Sequence, residues 1–401
     1  MIGEIPAVVV AYGFSAACLL AAAPVALRRT PVALLSIPSV VLAVFVGVTL
    51  SGGALAPVGA EAAVRVAAAG IWLFLLAALI EDYGLLWRWL VRASAMAVAL
   101  STAAMAVGLF GTLFATTSEN MVGSYALLPA GCVFVEAFLR RPSARMALAL
   151  ALATIGAVGF GARGPAGVLM GFFAIRVVSL WRWKRLLIVA GAVAAGAGVL
   201  CLAAARGGFT RFASAALEHL GMSPRVLTYF GRGALLDGRG RGEIAQAALD
   251  AIWQHPFGVG PLADRARIGD RVAFEGLEEG AIVGLYPHNI VLEVILQWGI
   301  AGGSLLLVAL VLLIRAAFRR RPAAGPTLWV GIGFGLMPLF VSGSYLTYSG
   351  FWALLGLSLG ATGKFKSTQL GFSGLLDAQE SVGRRVHGTT VKPGRAGIRR
   401  A

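Results

Sequence analysis

The chain has 401 residues, 58% of them hydrophobic and only 13% charged, with a mean hydropathy of +0.83. Apolar runs of about 18 residues or more recur along nearly the whole length, which excludes a soluble globular protein and indicates a polytopic membrane protein. The formal net charge of +16 sits largely in short clusters between those runs and in the tail, a distribution that reports membrane topology rather than a nucleic-acid partner.

Taken in chain order, the runs predict an all-α integral membrane protein with about 11 (10–12) transmembrane helices. They lie near 6–27, 31–50, 66–80, 93–114, 123–139, 146–162, 164–179, 186–205, 288–314, 326–343 and 347–363. The first run, Ile5 to Leu27, is too long for a signal-peptide core and lacks a basic flank, so it reads as the first span. Every second connection is basic: Arg28-Arg29, then Arg88 and Arg92, Arg140 to Arg145, Arg182 to Arg185, Arg315 to Arg321, and the tail. The intervening segments 51–65, 115–122 and 344–346 contain Arg65 as their single basic residue. The positive-inside rule then puts the N-terminus outside and the C-terminus in the cytoplasm. Cys18, Cys132 and Cys201 all fall within predicted spans without metal-ligand spacing, and read as small apolar residues.

This topology places one long segment, 206–286, outside as a single large extracytoplasmic subdomain. It holds nine Arg, no Lys and nine acidic residues, a balance that suits a folded unit rather than a basic tether. Leu249, Ile252 and Trp253 beside Ala245 and Ala248 predict a short amphipathic helix with Asp250 on its polar side. His255-Pro256-Phe257-Gly258-Val259-Gly260-Pro261 then stops that helix and turns the chain. The chain thus divides into N-terminal transmembrane helices (1–145), a region of interest with the outer loop (146–363), and a polar, basic tail (364–401).

Three cationic or titratable features meet at the outer face. Arg163 lies in Gly161-Ala162-Arg163-Gly164-Pro165 between two spans, Arg241 introduces the amphipathic helix, and His288 begins the ninth span. Taken singly, each has a bland role: a snorkelling arginine, a solvated loop charge, a helix-end histidine. Function is argued from their convergence. Glu293 lies a little over one turn beyond His288 and is a secondary candidate, and Asn289 is a helix cap or a ligand for sugar hydroxyls.

These residues carry a family resemblance. Asp237-Gly238-Arg239-Gly240-Arg241, the following helix, the Pro256-Phe257-Gly258-Val259-Gly260 turn, and His288-Asn289 with nine residues before Gly299-x-x-Gly302 resemble the O-antigen ligase and O-antigen polymerase superfamily. The resemblance covers roughly residues 145 to 310. It departs at Ala245, where an aromatic residue is frequent, and at His255. It implies a glycosyltransferase of the bacterial inner membrane, acting at the outer face. The donor would be an undecaprenyl-diphosphate-linked glycan and the acceptor a lipid or glycan: lipid A-core for a ligase, another carrier-linked repeat for a polymerase.

Under that resemblance Arg163 and Arg241 stabilise the diphosphate leaving group, with Arg239 beside them, since guanidinium binds phosphate bidentately and stays charged. His288 accepts the proton of the attacking hydroxyl or orients a substrate, and Asn289 and Glu293 contact substrate. No Asp-x-Asp motif stands in the outer loop, so neither metal nor other cofactor is expected. With no carboxylate plainly placed as nucleophile, direct displacement with inversion is expected. The alternative from another class is a transporter or lipid-carrier flippase, which would line a midplane path with ionisable residues. The span interiors offer few, chiefly Glu136 and Glu293, with Arg163 and Arg176 near span ends. A non-catalytic scaffold for polysaccharide export is a third reading.

Overall fold

The computed structural model describes residues 70–106, 117–160, 163–180, 215, 241–260, 263–264, 268, 287–341 and 343–362. The first two predicted spans, the eighth, most of the outer loop and the tail lie outside them. Among the described residues all regular structure is helical. In chain order the helices are α1 (Trp72–Ala78), α2 (Tyr83–Ala106), α3 (Thr117–Arg140), α4 (Ala144–Gly159) and α5 (Arg163–Leu180). They continue with α6 (Arg241–Gln254), α7 (Ile290–Arg320), α8 (Gly325–Gly331) and α9 (Ser349–Thr362).

Apolar side chains cover the outside of this bundle as well as its core. Leu100 on α2, Leu148 and Ile155 on α4, Met170 and Val178 on α5, and Leu305 and Val311 on α7 are all exposed. Such all-round apolarity belongs to helices that face lipid. By length and composition α7 and the segment Pro322–Phe340 qualify as membrane spans, and Ala144–Ala157, Gly164–Leu180 and Ser349–Thr362 are shorter apolar helices.

Two helices organise the packing. α3 lies against α2, α4 and α5, and α9 lies against α1 and α7. Around α3, Leu128, Cys132 and Val133 meet Val168, Leu169 and Phe172 of α5, with Val330 of α8 closing the cluster. Around α9, small residues allow backbone contact with α1. A Cβ at Gly356 would stand 2.2 Å from the Phe74 carbonyl oxygen, and one at Gly360 2.6 Å from that of Ala78. This is the small-xxx-small contact that packs helices where lipid supplies no hydrophobic drive.

The sequence pattern and the structure differ in three places. α2 begins at Tyr83, about ten residues before the predicted span, so Arg88 and Arg92 belong to a helix rather than a connection. Both are exposed, and the Arg92 guanidinium lies 5.3 Å from the centre of the Trp89 ring. The predicted span 326–343 is not one helix: α8 passes into a π-helical turn (Ile332–Leu336) and then a 3-10 turn (Met337–Phe340). Pro338, which lacks a backbone donor, lies in the last of these. On α6 the buried face is Ile244, Ala247, Ala248, Ala251 and Ile252, while Leu249 and Trp253 are exposed.

The joint that docks the 256–260 turn is in α7. Gly299 breaks this helix with φ 77° and ψ 170°, backbone angles suited to glycine. Past the break, a Cβ at Gly303 would lie 2.7 Å from Ile295 Cα. Eight residues of straight helix would separate those positions by about 12 Å, so the two halves fold against each other. The break frees backbone groups, and the 256–260 turn satisfies them. Ile300 N–H donates to the Pro256 carbonyl at 2.9 Å, Val259 N–H to Leu296 at 2.9 Å, and Gly260 N–H to Gln297 at 3.0 Å. Gly258, with φ 90°, completes the contact: a Cβ there would be 2.5 Å from Gly299 N.

Replacing Gly299 or Gly258 by Ala is therefore expected to cost about 1–3 kcal/mol from backbone strain alone, before the steric clash is added. Gly302→Ala, whose Cβ would meet only Trp298 Cβ at 3.6 Å, should be tolerated. Thermal unfolding of the detergent-solubilised protein checks both: a lowered midpoint for the first two variants and a near wild-type one for the third.

Candidate functional site

Three of the sequence candidates stand at the beginnings of helices. α4 ends at Gly159 and α5 starts at Arg163, so that arginine is the first residue of α5. Arg241 is likewise the first residue of α6. His288 stands two residues before α7 and is the one non-glycine described residue with positive φ, 52°. The left-handed region is sparsely used by side-chain-bearing residues, although His and Asn enter it more readily than most. Arg239 lies outside the described residues.

A helix start is where an added cation is least welcome. Aligned peptide dipoles and unpaired N–H groups leave about half a positive charge there, and a like charge in the first turn is disfavoured by roughly 0.3–1 kcal/mol. An anion reverses the sign, because helix N-termini and guanidinium groups both bind phosphate. Arg163 and Arg241 each stand at such a helix start.

Asn289 has a definite local task. It is extended (φ −149°, ψ 117°), and its side-chain oxygen accepts from Val291 N–H at 2.9 Å and Leu292 N–H at 3.5 Å. It is the N-cap of α7 and fixes the backbone next to His288. α6 packs along the pre-break half of α7 through Ile244, Ala248 and Ile252 against Leu292, Ile295 and Leu296. The element that begins with Arg241 is thus bound to the element that follows His288.

Beneath His288 a polar network crosses the interior. Glu293 is almost wholly buried; its carboxylate accepts a short hydrogen bond from the Ser344 hydroxyl and one from Tyr345 N–H at 3.3 Å. Tyr345 donates its hydroxyl to Gln297 Oε1 at 2.7 Å and accepts from Trp298 Nε1 at 2.7 Å. Gln297 Nε2 in turn donates to Asp264 at 3.0 Å. Burial, reinforced by the negative charge of Glu293, pushes the Tyr345 phenol well above its usual range, so it remains a donor. The network joins Asp264, the first half of α7 and the segment before α9. The sequence reading singled out Glu293 but missed Gln297, which lies on the same face one turn later, and Ser344 and Tyr345, which carry no local pattern.

Glu136, the other ionisable candidate within a span, is fully paired. Its carboxylate accepts from Arg176 Nε at 2.6 Å, Arg176 Nη2 at 3.0 Å and Arg140 Nε at 2.6 Å. Arg176 is only 2% exposed and stacks 4.2 Å from the Trp329 ring centre. This ties α3, α5 and α8 together rather than lining a path.

Comparison with known families bears on residues 147–307, which match the family model described as O-antigen ligase. The match runs from α4 past the Gly299 break, and it supports the O-antigen ligase and polymerase superfamily as the origin of this region. No curated protein and no solved structure gives a significant match.

Asn289→Ala is expected to lower stability by about 1 kcal/mol through loss of the cap, with Asn289→Asp or Asn289→Ser restoring most of it. Parallel thermal unfolding and activity assays check this. Activity that follows stability across the three variants identifies the residue as a cap, and activity lost in stable variants identifies a substrate contact.

Proposed function

We propose that the chain, whose residues 147–307 carry the O-antigen ligase signature, is a glycosyltransferase that moves a glycan from undecaprenyl diphosphate to an acceptor at the outer face of the bacterial inner membrane. The observation that carries this reading is the family match over residues 147–307, a stretch in which arginines are the first residues of α5 and α6 and a histidine precedes α7. A diphosphate needs that combination of guanidinium groups and unpaired helix N–H groups. Arg239, on the approach to α6, belongs to the same diphosphate-binding group.

In the reaction the acceptor hydroxyl oxygen attacks the anomeric carbon while the bond from that carbon to the phosphate oxygen breaks. The electron pair of the broken bond leaves with undecaprenyl diphosphate, where Arg163 and Arg241 stabilise it. His288 takes the hydroxyl proton or orients the acceptor, and Glu293 and Asn289 hold the backbone and surroundings of that histidine. Displacement is direct and inverts the anomeric centre. No ATP is required, because the donor bond is already activated. Residues 146–363 form the catalytic region, with 206–286 as its extracytoplasmic part. The acceptor is lipid A-core in a ligase and a carrier-linked repeat unit in a polymerase.

Removing a preorganised charge contact of this kind costs on the order of 3 kcal/mol, or about 10²-fold in rate. Arg163→Ala and Arg241→Ala should each lose about that much, and Arg241→Lys should recover only part of it because ammonium lacks the bidentate fork. His288→Ala should lose about 10²–10⁴-fold. The check is an envelope glycan gel from a deletion strain complemented with each variant at equal membrane expression. Long chains lost with a single repeat still attached would identify a polymerase, and polymer retained on the carrier a ligase. A wild-type pattern from His288→Ala would overturn the proposed role of the histidine.

A further inference from the structure

The second half of α7 provides a depth scale. From Ile300, just past the break, to Arg320 the helix is about 30 Å long, the thickness of a bilayer's hydrocarbon core. Apart from Ser304, its exposed side chains from Ile300 through Leu305, Val308 and Leu312 are apolar, and it ends in Arg319, Arg320 and Arg321, with Arg315 close enough to snorkel to the same level. The charged end fixes one membrane boundary, so the Gly299 break lies at the other. The Pro256–Gly260 turn is bonded to that break, and Ile300 N–H, at the start of the lipid-facing run, donates to Pro256.

At this level the turn presents an aromatic side chain outward: Phe257 is 95% exposed. Trp253, one helical turn before it, is 75% exposed, and Leu249, one turn earlier again, is 40% exposed. Leu249 and Trp253 lie on the side of α6 turned away from Ala248, Ala251 and Ile252, which pack on α7. The outward side of α6 is mixed: Glu243, Gln246, Asp250 and Gln254 are exposed and polar, with Gln246 and Asp250 hydrogen-bonded at 3.0 Å, while Leu249 and Trp253 form an exposed apolar edge beside them. Large exposed aromatics at a hydrocarbon boundary are a membrane-interface signature.

We propose that Leu249, Trp253 and Phe257 form a membrane foot: an apolar edge that inserts into the headgroup–acyl boundary of the outer leaflet and holds α6 at a set height on the bilayer. The partner is the phospholipid surface, because the foot continues the lipid-facing side of α7 across a backbone hydrogen bond. The inference stands on the depth of α7 and on exposure, and does not require the glycosyl-transfer reading.

The test places p-benzoylphenylalanine at Phe257 or Trp253 in the full chain, in nanodiscs of phosphatidylethanolamine and phosphatidylglycerol. Leu305 serves as the lipid-facing reference and Asp250 as the aqueous one. After irradiation, mass spectrometry should find phospholipid adducts at 257 and 253 at a yield comparable to that at 305, and at least about tenfold above that at 250, the contrast expected between membrane-interface and aqueous positions. Adducts to a second protein chain, or none at 253 and 257 while 305 labels lipid, would overturn the foot. Absence of lipid at 305 would remove the depth scale and the proposal with it. The substituted side chains are exposed, so folding is retained, and wild-type thermal unfolding confirms it.

Discussion

The arrangement of α6 and α7 depends on one backbone splice. A helix satisfies its own backbone polar groups, and a buried break such as that at Gly299 leaves donors and acceptors that need other partners. Each buried group left unsatisfied costs about 1–3 kcal/mol, which bars such a break unless another chain segment supplies partners. The 256–260 turn supplies them, with three backbone hydrogen bonds across Gly299. Two glycines with positive φ allow the backbones to approach, and Gly303 allows the helix halves to fold together. The pairing is reciprocal: without the turn the break is costly, and without the break the turn has nowhere to dock.

Two buried acids brace the molecule on either side of this joint. Glu293 binds the segment before α9 through Ser344 and Tyr345, and Glu136 binds Arg176 and Arg140 across α3 and α5. Removing one partner of the buried Glu136–Arg176 ion pair would cost about 3–5 kcal/mol, the usual figure for such pairs, because the other charge remains desolvated. Both clusters act as positional devices. The Glu136 cluster holds α5, and hence the helix start at Arg163, in register with α3. The Glu293 network holds the short first half of α7, and hence His288.

Much of this was legible from the residues alone. Apolar run length marked most of the described helices, because 1.5 Å per residue against a fixed hydrocarbon thickness leaves little freedom. His288-Asn289 and Gly299 marked α7, and the Pro-Phe-Gly-Val-Gly turn marked the end of α6. What escaped was long-range. Hydropathy could not show that Tyr83 starts α2, because Arg88 and Arg92 depress the local average while sitting comfortably on an exposed helical face. Nor could it show the π and 3-10 turns in 332–340, whose apolar composition resembles an intact helix. On α6 the stripe through Leu249 and Trp253 has the same period as the buried one through Ile244, Ala248 and Ala251. Only the position of α7 decides between them. Gly303 was passed over in favour of Gly302 because close approach depends on a fold-back that composition does not encode.

The spacing within the motif follows from the same geometry. Nine residues between Asn289 and Gly299 make a helix of about 13 Å, or two and a half turns. That length lets the cap at Asn289 and the splice at Gly299 each complete, and it sets Glu293 and Gln297 one turn apart on the face that meets Tyr345. One residue more or fewer would rotate that face by about 100°, turning the acid out of its network while leaving both ends formally intact. His288 takes a left-handed conformation at the end of this segment, between a loop it cannot control and a helix whose start is fixed by Asn289. Backbone angles of this kind cost about 1–3 kcal/mol at a side-chain-bearing residue and persist where the surrounding structure holds them in place.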